Sequence, residues 1–131
     1  MFFTRAQEIA LAALPLLDPR GTSGIGRSAM EIAEAAGVPA PFLSKVLGLL
    51  VDRGLLRSRR GRRGGFVLGR PASEITLADI ALALDRRDDL ERAFPPVGGQ
   101  AGPLLEPARK EFLERLRRTR LSDLGAPAPR A

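Results

Sequence analysis

Between Arg57 and Gly65 the chain reads RSRRGRRGG, five arginines and three glycines in nine residues with no carboxylate among them. Guanidinium groups at this density suit phosphate. Each is permanently charged and presents a planar fork of donors, while glycine lets the backbone turn tightly and come close to an anion. From Arg53 to Arg70 there are seven arginines and no Asp or Glu, so the formal charge of +6 is local; elsewhere fourteen basic residues stand against fifteen acidic ones. Such a patch points to a polyanion, and to nucleic acid over a membrane surface, because no long basic amphipathic stretch with Trp or Phe accompanies it. The bland alternative is a solubilising loop, but solvated surfaces ordinarily mix both signs of charge.

The chain contains neither Cys nor His. That removes disulfides, thiolate chemistry, cysteine-held clusters, the commonest metal ligand and the commonest general base. No nucleophile and base, and no metal-ligand set, can be assembled, so the residues argue against an enzyme and predict no metal and no cofactor. Asp88, Asp89, Glu91 and Arg92 read as a solvated charge cluster. A length of 131 residues fits one domain with at most a small appended element. No apolar run approaches the roughly 18 residues that span a bilayer. The opening MFFTRAQEIALAALPLL carries Glu8 inside its apolar run and no clear cleavage signal, so a cytoplasmic protein without membrane contact is expected.

The elements that must carry the arginines are legible in the periodicity. Ala6, Ile9, Ala10, Ala13, Leu14 and Leu17 recur at helical spacing, with Thr4 as N-cap and Pro15 ending or kinking the helix. Ser28 and Glu31 form a capping box for a helix over Ala29 to Ala36, and Gly37 suits its left-handed close. A third helix is predicted from about Pro41 to Arg53, with Phe42, Leu43, Val46, Leu47, Leu49 and Leu50 as its apolar stripe and Gly54 as its stop. LLRSR and GFVLG then flank the basic turn as two short strands. Two helices around a glycine turn followed by a basic hairpin make a winged helix-turn-helix, whose second helix enters a major groove. Thr76 and Asp79 cap a helix over about Leu77 to Asp85, and a last periodic segment runs from Leu104 to Thr119. In that segment Glu106, Glu111 and Glu114 each precede Lys110, Arg115 and Arg118 by four residues, which supports a helix protruding from the core.

The stretch PFLSKVLGLLVDRGLLRSRRGRRGGFVLGRPASEITLADI resembles the Rrf-type transcription regulators, the family of IscR, NsrR and CymR. The residues that carry the resemblance are Phe42-Leu43, Arg53-Gly54-Leu55-Leu56, Arg60-Gly61-Arg62-Arg63-Gly64-Gly65-Phe66 and Glu74-Ile75-Thr76-Leu77, within residues 27 to 85. Thr4 and Arg5 fall where the family starts its first helix, and FLERLRRTRLSDL is similar to its C-terminal helix. The resemblance implies a homodimer on one palindromic operator in double-stranded DNA, acting as a repressor, with the last helix crossing to the second subunit. Members that sense iron–sulfur state or nitric oxide carry three cysteines where this chain has RRDDLERAFPPVGGQAGP, so no iron–sulfur cluster is expected. Ser44 stands where some members carry an acidic residue that helps choose the operator, which implies a different preference.

The expected architecture is therefore mainly α with a small β hairpin. A winged helix-turn-helix fills residues 1–85, a connecting loop 86–103, a dimerisation helix and C-terminal segment 104–124, and a disordered tail 125–131. Candidate DNA contacts are Arg5, Ser28, Pro41, Phe42, Ser44 and Lys45 on the helices and Arg59, Arg60, Gly61, Arg62, Arg63 and Gly64 in the wing. Leu43, Val46, Leu47 and Leu50 are assigned to the core. The dimer stripe is Leu105, Ala108, Phe112, Leu113 and Leu116, with Phe94 either packing on that helix or lining a pocket. The alternative reading is an interaction module whose DNA binding is gated by a partner protein or small-molecule effector at the loop and the last helix.

Overall fold

The computed structural model describes residues 3–17, 26–61 and 64–124. Helix α1 (Arg5–Ala13) runs into a 3-10 turn at Leu14–Leu16, where Pro15 sits. Helices α2 (Ala29–Ala36) and α3 (Ala40–Asp52) follow, then an antiparallel hairpin of β1 (Leu56–Arg59) and β2 (Gly65–Leu68). After a 3-10 turn at Ala72–Glu74 come α4 (Leu77–Ala83), a single-turn α5 (Leu90–Ala93), α6 (Gly102–Arg118) and a closing 3-10 turn at Leu121–Leu124. Among the described residues the fold is thus mainly helical with one small hairpin, as the periodicity predicts. The predicted tail 125–131 lies outside the described residues.

Three helices begin with a reciprocal capping box, which satisfies backbone donors that a helix start leaves free. Ser28 and Glu31 close one on α2, with the Glu31 N–H donating to the Ser28 hydroxyl at 3.1 Å. Thr76 and Asp79 close another on α4, at 2.9 and 3.0 Å. The third, on α1, pairs Thr4 with Gln7, whose side chain accepts from the Thr4 N–H at 2.9 Å. Gln7 is buried, and its amide also donates to the Ala81 carbonyl of α4 at 3.0 Å. One side chain therefore caps its own helix and cross-links it to another.

The apolar residues form two cores. The larger gathers Ile9 and Leu14, Ile32, the α3 stripe Leu43, Val46, Leu47 and Leu50, and Leu56 and Leu68 of the hairpin, with Ile75 and Ile80. The smaller joins Ala78 and Ala81 to Leu90, Phe94, Leu113 and Leu116. Helix α4 is the wall between them, turning Ile80 and Ala83 to the first and Ala78 and Ala81 to the second.

This arrangement corrects the reading of the last helix as a protruding rod. Its C-terminal half packs on α4, and the chain beyond it returns to the first core. The Leu77 N–H donates to the Thr119 carbonyl (2.9 Å) and the Leu121 N–H to the Ile75 carbonyl (2.7 Å), with Leu121 buried. Segment 86–103 also differs from a plain loop, since it contains α5 and delivers a helix that begins at Gly102. Asp85 opens it as a nearly buried carboxylate that accepts from the Arg87 N–H (2.9 Å) and guanidinium (2.8 and 3.1 Å), which holds its pKa below the ordinary carboxylate value.

Because Gln7 serves two partners at once, Gln7→Ala is expected to lower stability by about 1–3 kcal/mol in urea denaturation. A loss below about 0.5 kcal/mol would mean that the Ala81 carbonyl and the Thr4 N–H find other partners.

Candidate nucleic-acid interface

Helices α2 and α3 are joined by the three residues Gly37–Pro39, and the chain bends by 113° between them. Gly37 supplies the turn: its φ of 70° is left-handed, and its N–H donates back to the Ala33 and Glu34 carbonyls. A short glycine turn with this bend is the geometry of a helix-turn-helix. The apolar stripe of α3 faces inward, with Leu43 and Leu50 fully enclosed. Outward stand Pro41, Phe42, Ser44 and Lys45, then Gly48, Leu49 and Asp52. Among the described residues no side chain caps the start of α3.

The hairpin is in register Leu56↔Leu68, Arg57↔Val67, Ser58↔Phe66 and Arg59↔Gly65. Leu56 and Leu68 enter the core, while Arg57 and Arg59, two residues apart, leave one face of the strand toward solvent. On its other edge β2 pairs with the residue before the α2 cap, the Arg27 N–H donating to the Phe66 carbonyl (3.1 Å) and the Phe66 N–H to the Arg27 carbonyl (2.7 Å). The wing is thereby fastened to the entrance of the helix-turn-helix. Gly65 makes that pairing possible, because φ is 111° and a Cβ there would fall against the Arg27 carbonyl.

The predicted contacts distribute as follows. Arg60 and Gly61 are exposed beyond Arg59, and the Gly64 N–H returns to the Gly61 carbonyl at 2.9 Å. Arg62 and Arg63 lie outside the described residues. Arg5 is exposed on the first turn of α1, beside Glu8 at 3.5 Å. Ser28 is occupied as a cap. Arg70, counted with the basic run, instead pairs with Asp79 of the α4 capping box at 3.0 Å.

The predicted dimer stripe is split. Leu113 and Leu116 are buried inside this chain and Phe112 is half-buried, so those three are not free to line a second subunit as a single stripe. Leu105 and Ala108, together with Leu104 at 82% exposure, remain open on the N-terminal half of α6.

Two features escaped the sequence reading. Arg109, only 3% exposed, donates to the Phe94 carbonyl (2.8 Å), to Glu106 (2.7 Å) and to the Glu91 carboxylate. Glu106 thus pairs three residues on instead of with Lys110, and Glu91 is engaged and not merely solvated. Beside this hub Phe3, Phe94 and Phe112 form a ring cluster with centroids 5.2 to 5.6 Å apart, which settles Phe94 as a packing residue. The available signal was the spacing of Arg109, Leu113 and Leu116, which puts the arginine at the head of the buried stripe.

Over residues 3–127 the chain matches the Rrf2 family, described as an iron-dependent transcriptional regulator. The chain belongs to the Rrf2 family of transcriptional regulators. It is 36% identical to IscR of Photorhabdus laumondii over 72 residues, 55% of this chain and 44% of that protein. It is 56% identical to protein aau3 of Rhizobium meliloti over 50 residues, 38% of this chain and 32% of that one. The matches thus span less than half the length of these curated relatives. Among solved structures, CymR, the global cysteine regulator of B. subtilis, superposes with a TM-score of 0.77 at 25% identity over 95% of both chains. IscR of T. potens shares the fold at a TM-score of 0.74 and 23% identity, over 95% of this chain and 85% of that one. The Rrf2 family and the similar regulators are not enzymes. The iron of the family description does not fit the donors present here. The chain has no thiolate or imidazole, and among the described residues no three acidic groups gather closely enough to hold a metal.

The orientation of α3 yields a paired expectation from adjacent positions. Leu43→Ala should cost about 2–5 kcal/mol in chemical denaturation by leaving a cavity, whereas Phe42→Ala should stay within about 0.5 kcal/mol of the parent. Equal costs would contradict the assignment of inner and outer faces.

Proposed function

We propose that this Rrf2-family chain is a cytoplasmic, sequence-specific double-stranded DNA-binding regulator. It acts as a homodimeric repressor without an iron–sulfur cluster. The observation that carries the reading is the outward face of α3, with Pro41, Phe42, Ser44 and Lys45 beyond a 113° helix-turn-helix bend, next in sequence to a hairpin that exposes Arg57 and Arg59. In this reading α3 lies in a major groove with its outward face, beginning at its N-terminal residues, toward the base edges, and the arginines of the wing meet flanking phosphates. Ser44 offers a hydroxyl that donates or accepts, so it discriminates less than a carboxylate, which only accepts from cytosine.

The open apolar half of α6, Leu104, Leu105 and Ala108, supports a second copy as its partner. A twofold dimer would present two α3 helices to half-sites about one helical turn apart. The absence of an iron–sulfur cluster rests on the donor set, which lacks the thiolates such a cluster requires.

Selection from random duplex DNA is the direct test, and a palindrome is the expected product. Gel-shift affinity should fall with salt at a slope near −0.9 per phosphate neutralised, with about 6–10 phosphates per dimer. Changing Arg60, Arg62 and Arg63 together to Ala removes six arginines from the dimer and should weaken binding and flatten that slope by up to about 5; an unchanged affinity and slope would remove the wing from the interface. Leu105→Lys should shift sedimentation from dimer to monomer while leaving helical circular dichroism intact, and a persisting dimer would move the interface off α6.

A further inference from the structure

Phe42 is 55% exposed and Leu49 is 48% exposed, an unusual outlay of large apolar surface on a 13-residue helix. They are seven residues apart, two helical turns, so both project along one edge of α3. Neither is needed by the core, which takes Leu43, Val46, Leu47 and Leu50 from the same helix. On the same exposed side, about 100° around the helix from Leu49, Gly48 is exposed, and a Cβ built there would meet nothing within 4 Å among the described residues. A glycine inside a helix weakens it, and no neighbour among the described residues demands one at this position. What the glycine does provide is a bare stretch of helix surface that an outside partner can approach closely.

A protein-docking patch is the competing reading. The charges favour nucleic acid: Lys45 lies between Phe42 and Gly48, the outward Asp52 is followed by the exposed Arg53, and the hairpin beyond exposes Arg57 and Arg59. In the major groove the one apolar feature of the base edges is the C5-methyl group of thymine, which takes contact from apolar side chains. Seven residues of helix rise by about 10 Å, close to three base-pair steps of about 3.4 Å.

We infer that Phe42 and Leu49 are specificity-determining residues that contact two thymine methyl groups about three steps apart in each half-site, with Gly48 letting α3 lie close to the base edges. This rests on the DNA-binding reading above. It makes the operator a pattern of methyl groups as well as of hydrogen-bond donors and acceptors.

The test uses the full chain and the duplex enriched by selection, with each thymine replaced in turn by deoxyuridine, which deletes the methyl and keeps the pairing. Two positions per half-site should each lose about fourfold in affinity, the scale of one buried methyl. Phe42→Ala should bind the thymine duplex more weakly yet be indifferent to uracil at one of those positions, and Leu49→Ala at the other. Both variants should melt at the parent temperature, since neither side chain is in the core. Uniform tolerance of uracil, or losses that persist unchanged in both variants, would overturn the inference while leaving DNA binding standing, and would assign the pair to protein docking. A selection that enriches no sequence would instead bring down the DNA-binding reading, and this inference with it.

Discussion

Helix α4 is seven residues long and has to be apolar on two sides at once. Ile80 and Ala83 complete the core beneath the helix-turn-helix, and Ala78 and Ala81 complete the core beneath α6. Burial on both sides leaves little room for polar groups, and the small alanines allow neighbouring helices to approach closely. The polar needs of this region are met at its margins. Gln7 takes the Ala81 carbonyl, Asp79 closes the N-terminal cap, and Arg70 pairs with Asp79 at the cap's outer edge. Remove this helix and the helix-turn-helix loses one side of its core while α6 loses its seat.

The sequence displayed the parts whose cues are local. Ser28 with Glu31, Thr76 with Asp79, Gly37 and the paired strand pieces are short-range signals, and each marks the element where it occurs. The alternation of Leu43, Val46, Leu47 and Leu50 with Ser44 and Lys45 likewise separated the inner face of α3 from its outer face. What stayed hidden depends on residues distant in the chain. Gln7 reads as an ordinary first-turn residue until Ala81 comes within hydrogen-bond distance, 74 positions later. Arg109 reads as one more exposed charge on a basic helix until Glu91 and the Phe94 carbonyl surround it. The apolar stripe read from α6 runs through Leu105 and Ala108 because it follows the apolar residues alone; arginine is seldom buried, yet here partners satisfy the Arg109 guanidinium and make its burial tolerable.

The segment between α4 and α6 illustrates what holds a connection in place when no thiolate is available. Its start is pinned by Asp85 and Arg87, its middle by Arg109 on Glu91 and the Phe94 carbonyl, and its apolar side by the contact of Phe94 with Phe3 and Phe112. These are ordinary side-chain interactions, and apart from the local Asp85–Arg87 pair they join Phe3, ahead of the α1 cap, to α6 and to the turn around α5. The order of this segment is therefore tied to the packing of the whole smaller core.

The return of the chain after α6 has a mechanical meaning. Thr119 and Leu121 are bonded to Leu77 and Ile75, at the root of α4, while the buried Leu113 and Leu116 hold the last turns of α6 against the same helix. The helix is therefore clamped along its C-terminal half, and its first residue is seated as well, since Gly102 is buried where a Cβ would meet the Val97 carbonyl; what faces outward between these ends is the side chains of Leu104 and Leu105. Pro107, inside the helix, removes one backbone hydrogen bond between the two seats. A force on the exposed leucines is therefore resisted from both sides, and Pro107 marks the place where the helix has one bond fewer to resist it.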